Sequence, residues 1–132
     1  MACNSETVKS LLSACSGDSE MTELILDALE SFEKYHQAIY TLELKRMRYT
    51  CGAMDTEVYR EEIPRLDRIR SDRHNAVISN VRLLNRLAEQ HNLKPFYEGV
   101  VSEERPYRTQ LADAVLLYVR EIITRVTGDG SH

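Results

Sequence analysis

The sequence predicts an all-α fold: an up-and-down bundle of three long helices plus a short N-terminal helix. Three observations carry this. Apolar residues recur three and four positions apart over long stretches, the spacing of one buried helix face. Five Gly and three Pro in 132 residues are too few for the frequent turns of an all-β chain. Charge along the second segment runs from acidic to basic, the order that complements a helix dipole. The length suits one domain, with residues 1–17 as a short helix or arm, 18–127 as the bundle and 128–132 as a disordered tail.

Taken in order, Asn4 or Ser5 can cap a helix reaching Cys15, with Val8, Leu11, Leu12 and Cys15 on one side. Ser16-Gly17-Asp18 ends it, glycine being the usual residue past a helix C-terminus. Asp18 or Ser19 caps a second helix to about Tyr49. Its stripe is Met21, Ile25, Ala28, Phe32, Tyr35, Ile39 and Leu42, widened by Leu24, Leu29, Tyr40 and Met47. Cys51-Gly52-Ala53-Met54 breaks the chain, and Asp55 or Thr56 caps a third helix to about His91. Pro64 removes one backbone hydrogen bond there, which predicts a kink or a restart near Glu62.

The connection Asn92–Gly99 is aromatic for a loop, so Phe96 or Tyr97 is expected to fold back onto the bundle. Ser102 caps the last helix, with Glu103 and Glu104 in its first turn and Pro106 tolerated near the start. From Leu111 to Val126 that helix is apolar nearly all round, as a central or interface helix is.

Composition excludes several classes. No stretch approaches the 18 or more apolar residues of a membrane span, and the N-terminus has no basic and apolar signal-peptide pattern. A cytoplasmic location is expected. Cys3, Cys15 and Cys51 are odd in number and lack CxxC spacing, against a disulfide framework or a structural zinc site. The net charge of −4 is uneven: residues 1–33 hold seven acids against Lys9, for −6, and the remainder is +2. Without a basic stripe the chain is a poor nucleic-acid binder. The run Arg60, Arg65, Arg68, Arg70, Arg73 is interleaved with Glu61, Glu62, Asp67 and Asp72, the pattern of a solvated ion-paired face. Glu33-Lys34-Tyr35-His36 is a single ExxH, whereas a di-iron bundle needs two. No metal or cofactor is expected.

The candidate site lies on the third helix. At about 100° per residue, Asp67, Arg70, His74 and Asn85 share the face of Ile63, Leu66, Val77, Ile78, Val81, Leu84 and Ala88. Burying polar groups without partners costs about 2–7 kcal/mol each. These four therefore either form a buried network with Tyr35, Tyr40, Glu43 or Tyr118, or line a pocket of about 300–1,000 Å³. An arginine held by a carboxylate can offer its other donors to an anion, and a histidine beside it can titrate near neutrality. Asp67, Arg70 and His74 are expected to be mostly buried and hydrogen-bonded to each other or to the second or fourth helix. If the cluster is structural, Arg70→Ala should cost about 3–5 kcal/mol, since it strands a buried carboxylate.

The run Arg70-Ser-Asp-Arg-His74-Asn75, then Leu84-Asn85-Arg86-Leu-Ala88, then Tyr97-Glu98-Gly99 and a closing apolar helix, resembles a small bacterial family of uncharacterised helical domains over residues 60–126. The resemblance implies an all-helical domain of unknown function. A looser likeness is to helical chorismate mutases, which hold a dicarboxylate with arginines inside a bundle. The Lys and Glu/Gln positions of such a pocket are not identifiable here.

Two functional readings follow. The first is a non-catalytic interaction or regulatory module, a homodimer through the C-terminal helix, where Leu117 interrupts a polar face of Gln110, Asp113, Arg120 and Thr124. Val8, Leu11 and Leu12 of the first helix could instead cover that surface within one chain. The second is a small-molecule-binding or catalytic bundle that uses Asp67, Arg70 and His74 for an anionic ligand.

Overall fold

Asn4 starts the first helix by accepting hydrogen bonds at Oδ1 from the amides of Glu6 and Thr7, at 3.1 and 3.4 Å. Asp18 does the same for the second, accepting from the Met21 amide at 3.1 Å. In the computed structural model, which describes residues 2–101 and 110–130 with side chains through Arg125, the elements are α1 (Ser5–Ala14), α2 (Ser19–Thr50), α3 (Thr56–Gln90) and α4 (Gln110–Gly130). No strand occurs among the described residues. The proposed cap at Ser102, with Glu103, Glu104 and Pro106, lies outside them.

The C-terminal ends of α2 and α3 are closed by the same device. At α2, the amides of Ala53 and Gly52 return to the carbonyls of Arg48 and Tyr49, at 2.8 and 3.1 Å, with Gly52 at φ +81°. At α3, the amides of Leu93 and Asn92 return to Ala88 and Glu89, at 2.8 and 3.2 Å, with Asn92 at φ +58°. These are Schellman turns, each needing one left-handed residue, a conformation that Gly and Asn adopt at least cost. Gly17 does not play this part after α1, because its φ is not positive. Nor does Pro64 restart α3, which runs unbroken from Thr56 to Gln90.

α2 and α3 pack as an antiparallel pair along most of their length. The contacts mark the register. Tyr49 stacks on Tyr59 at 4.0 Å next to the turn, and Lys45 pairs with Glu62 at 2.9 Å. Further along, the Tyr35 ring meets His74 edge-on at 5.7 Å, and Asn80 Nδ2 donates to Ser31 Oγ at 2.8 Å. α2 at 32 residues is about 48 Å long, against about 31 Å for the 21 residues of α4. Tyr40 and Met47, which widen the predicted stripe, stand about 100° from its centre and are exposed. Leu24 is also exposed, while Ile25, Ala28, Phe32, Tyr35 and Leu42 are buried as the stripe requires.

The core is finished by the segment between α3 and α4. Phe96 and Tyr97 are both buried. Phe96 stacks on Phe32 at 5.7 Å and meets Tyr118 of α4 edge-on at 5.2 Å. α1 clamps this segment from outside: the Asn4 amide donates to the Phe96 carbonyl at 2.7 Å, and Thr7 Oγ1 to the Lys94 carbonyl at 2.8 Å. Val8, Leu11 and Cys15 are buried beneath α1, yet Leu117 of α4 remains 46% exposed.

Candidate functional site: a three-helix cleft beside Arg70

The helical periodicity of α3 turns Arg70 and His74 inward, at 3% and 1% exposure, while Arg60, Arg65, Arg68 and Arg73 of the same run face solvent. Arg70 is held by the carboxylate one turn earlier. Its Nε and Nη2 both donate to Asp67 Oδ1, at 3.0 and 2.9 Å. Asp67 itself is not buried, its side chain keeping 44% of its exposure. It stands at the rim of the buried face.

Beside this pair opens a cleft of about 380 Å³ between α2, α3 and α4. Its polar lining is Glu43 and Arg46 from α2, Asp67 and Arg70 from α3, and Asp113 from α4. Ile39, Leu42 and Leu116 form apolar walls, with Tyr35 beside them. Arg46 Nη1 pairs with Glu43 Oε1 at 2.8 Å, repeating on α2 the arrangement of Arg70 and Asp67 on α3. Sequence periodicity pointed to the α3 half of this site. The α2 and α4 half was hidden, because Glu43 and Asp113 meet Arg70 only through the packing of three helices.

His74 does not line the cleft. Neither of its ring nitrogens has a hydrogen-bond partner among the described residues. Burial pushes its pKa below the usual histidine value and the Arg70 guanidinium pushes the same way, while Asn75 opposes them without closing a hydrogen bond. The ring is neutral packing material against Tyr35, walled off from solvent.

Asn85 is elsewhere. It shares the angular position of Arg70 and His74, but lies eleven residues beyond His74, about 16 Å along the axis. There its side chain grips the backbone of Tyr97 on both sides: Nδ2 donates to the carbonyl and Oδ1 accepts from the amide, each at 3.0 Å. Gly99 completes the arrangement, since a Cβ there would fall about 2.5 Å from the Tyr97 ring. The Asn85 and Tyr97-Glu98-Gly99 signatures thus describe one structural clamp rather than a ligand site.

A protein-family model matches residues 2–128. The chain belongs to DUF3232, a family of proteins of unknown function. The DUF3232 match takes in α1 and α2 as well as the segment 60–126 where the resemblance was legible. No curated protein and no solved structure matches the chain. Among the described residues, no three His, Cys, Asp or Glu side chains gather as a metal site would need, and no helix is long and apolar enough to cross a membrane.

Proposed function

We propose that this DUF3232 protein is a non-catalytic regulatory module that works by binding, with the cleft between α2, α3 and α4 as its ligand pocket. One observation carries the reading: a cleft of about 380 Å³ has a buried arginine and its carboxylate partner in its wall. That volume falls within the range of small-molecule sites. The side chain best suited to general acid–base work, His74, is sealed away from the cleft behind Tyr35, so binding rather than proton transfer is the fitting chemistry. Amide NMR shifts of the full-length protein, followed during addition of small polar organic molecules, test the reading. Shifts should cluster on Tyr35–Arg46, Asp67–Arg70 and Asp113–Leu116. Shifts confined to other surfaces would overturn it.

The same reading includes self-association through α4, supported by Leu117 and Ile123, which keep 46% and 40% of their exposure. It also includes a cytoplasmic setting, supported by Cys3, Cys15 and Cys51 all being thiols.

A further inference from the structure

We infer that the α2–α3–α4 cleft takes a small organic cation, an ammonium group on an apolar body, rather than an anion. This rests on the proposal that the cleft binds a small molecule at all. The inference comes from the lining. Among the described lining residues, three carboxylates, Glu43, Asp67 and Asp113, face two arginines, leaving one negative charge in excess. Both arginines are already committed to acids on their own helices, Arg46 to Glu43 and Arg70 to Asp67. The two donors of Arg70 fall on one oxygen, Oδ1, so Oδ2 of Asp67 remains as an acceptor. Arg46 likewise engages Oε1 of Glu43 and leaves Oε2. Asp113, across the cleft on α4, forms no ion pair among the described residues. Acceptors from three helices thus converge on one space, and an ammonium group is a compact donor of three hydrogen bonds with no acceptor.

An incoming anion would meet the opposite situation. It would stand beside Glu43, Asp67 and Asp113, whose charges outnumber those of Arg46 and Arg70 among the described lining residues. Like charges placed together in this way act as a specificity element, because they penalise the wrong ligand more than they help the right one. Ile39, Leu42 and Leu116 add apolar wall for the body of the ligand. Arg70 acts here as a positioning residue: it fixes Asp67 so that Oδ2 stays at the rim.

Three probes of one shape and three charges test this: hexylammonium, hexanol and hexanoate. Each is titrated into the full-length protein and followed by amide NMR shifts and calorimetry. Hexylammonium should bind at least tenfold more tightly than the other two, with shifts on Ile39, Asp67, Asp113 and Leu116. Asp113→Asn, a change at an exposed side chain, should reduce hexylammonium to the affinity of hexanol and leave hexanol unaffected. Tighter binding of hexanoate in the cleft would overturn the cation assignment while sparing the pocket. Hexylammonium shifts confined to Glu20, Glu23 and Asp27 on α2 would overturn it too, as attraction to an acidic helix face. Failure of all three probes to shift any cleft residue would overturn the pocket itself.

Discussion

At the scale of single residues, Asp67 and Asn85 change what the site means. Periodicity placed both on the buried face of α3, and both carry buried-side partners, but for different ends. Asp67 sits at the edge of the face with its side chain 44% exposed. Water can therefore solvate its charge if Arg70 is lost, and the premise of a stranded buried carboxylate does not hold. Arg70→Ala should cost about 1–3 kcal/mol, mainly in lost packing of its stem and guanidinium, measured by urea denaturation. A loss above that range would show that Asp67 relies on Arg70 more than its exposure suggests. Asn85 is the more sensitive position. Asn85→Ala leaves the amide and carbonyl of buried Tyr97 without partners, at about 1–3 kcal/mol for each unsatisfied group. Gly99→Ala forces a Cβ against the Tyr97 ring and should cost about 1–3 kcal/mol. The two together should fall short of additive, because both act on Tyr97. Independent, fully additive losses would dissolve the clamp.

His74 belongs to the same scale and predicts a pH dependence. Its folded pKa lies below the ordinary value of 6.5 because burial, and then Arg70, disfavour the imidazolium. The unfolded chain therefore binds a proton at His74 more readily than the folded one. This contribution to stability is complete above pH 6.5 and is lost progressively as pH falls through 6.5 toward the folded value. His74→Phe keeps an aromatic ring beside Tyr35 and removes the titration. Its stability should decline less steeply with acid between about pH 6.5 and 5 than that of the wild type, by denaturant melts at stepped pH. Parallel slopes would mean that His74 is not the group resisting protonation.

At the scale of elements, most of what was legible in the sequence was angle, and most of what was missed was height and overlap. A period of 3.6 residues sorts Ile25, Ala28, Phe32, Tyr35, Val77, Val81 and Leu84 onto buried faces without reference to anything distant. It says nothing of which part of a long helix has a neighbour. Asn85, for instance, shares a face with Arg70 but serves a different contact. Tyr40 and Met47 instead stand at the margin of the α2 stripe, about 100° from its centre, and are exposed. Phe96 and Tyr97 are recognisable as aromatic residues in an unsuitable place, whereas nothing in the local sequence distinguishes Asn92 as the left-handed residue that closes α3. Asn92→Val should destabilise by about 1–2 kcal/mol, since a β-branched residue resists positive φ, while Asn92→Gly should be close to neutral. Thermal melts of the pair separate backbone strain from loss of the side chain; equal losses in both would place the effect in the asparagine amide instead.

At the scale of the whole molecule, the open question that the fold poses is what meets α4. Val8 and Leu11 of α1 are buried, so the N-terminal helix does cover apolar surface within the chain, but Leu117 and Ile123 of α4 keep their exposure. If α4 forms a two-fold interface, light scattering of the full-length protein should give twice the monomer mass, and Leu117→Glu should shift it toward monomer at unchanged helix content by circular dichroism. A full-length monomer across the micromolar range would defeat the dimer and leave the cleft unaffected.

The turn between α2 and α3 makes the molecule its own reporter. Cys51 sits exposed beside the Gly52 turn, Cys15 is buried, and burial with the nearby Glu121 carboxylate pushes the Cys3 thiol up to about 12. A maleimide reagent at neutral pH should therefore modify one thiol per chain without any engineered cysteine. A spin label or dye placed there lies at the turn between α2 and α3, remote from Asn85. Two such labels in an assembly would report the separation of two such turns as a single measured distance.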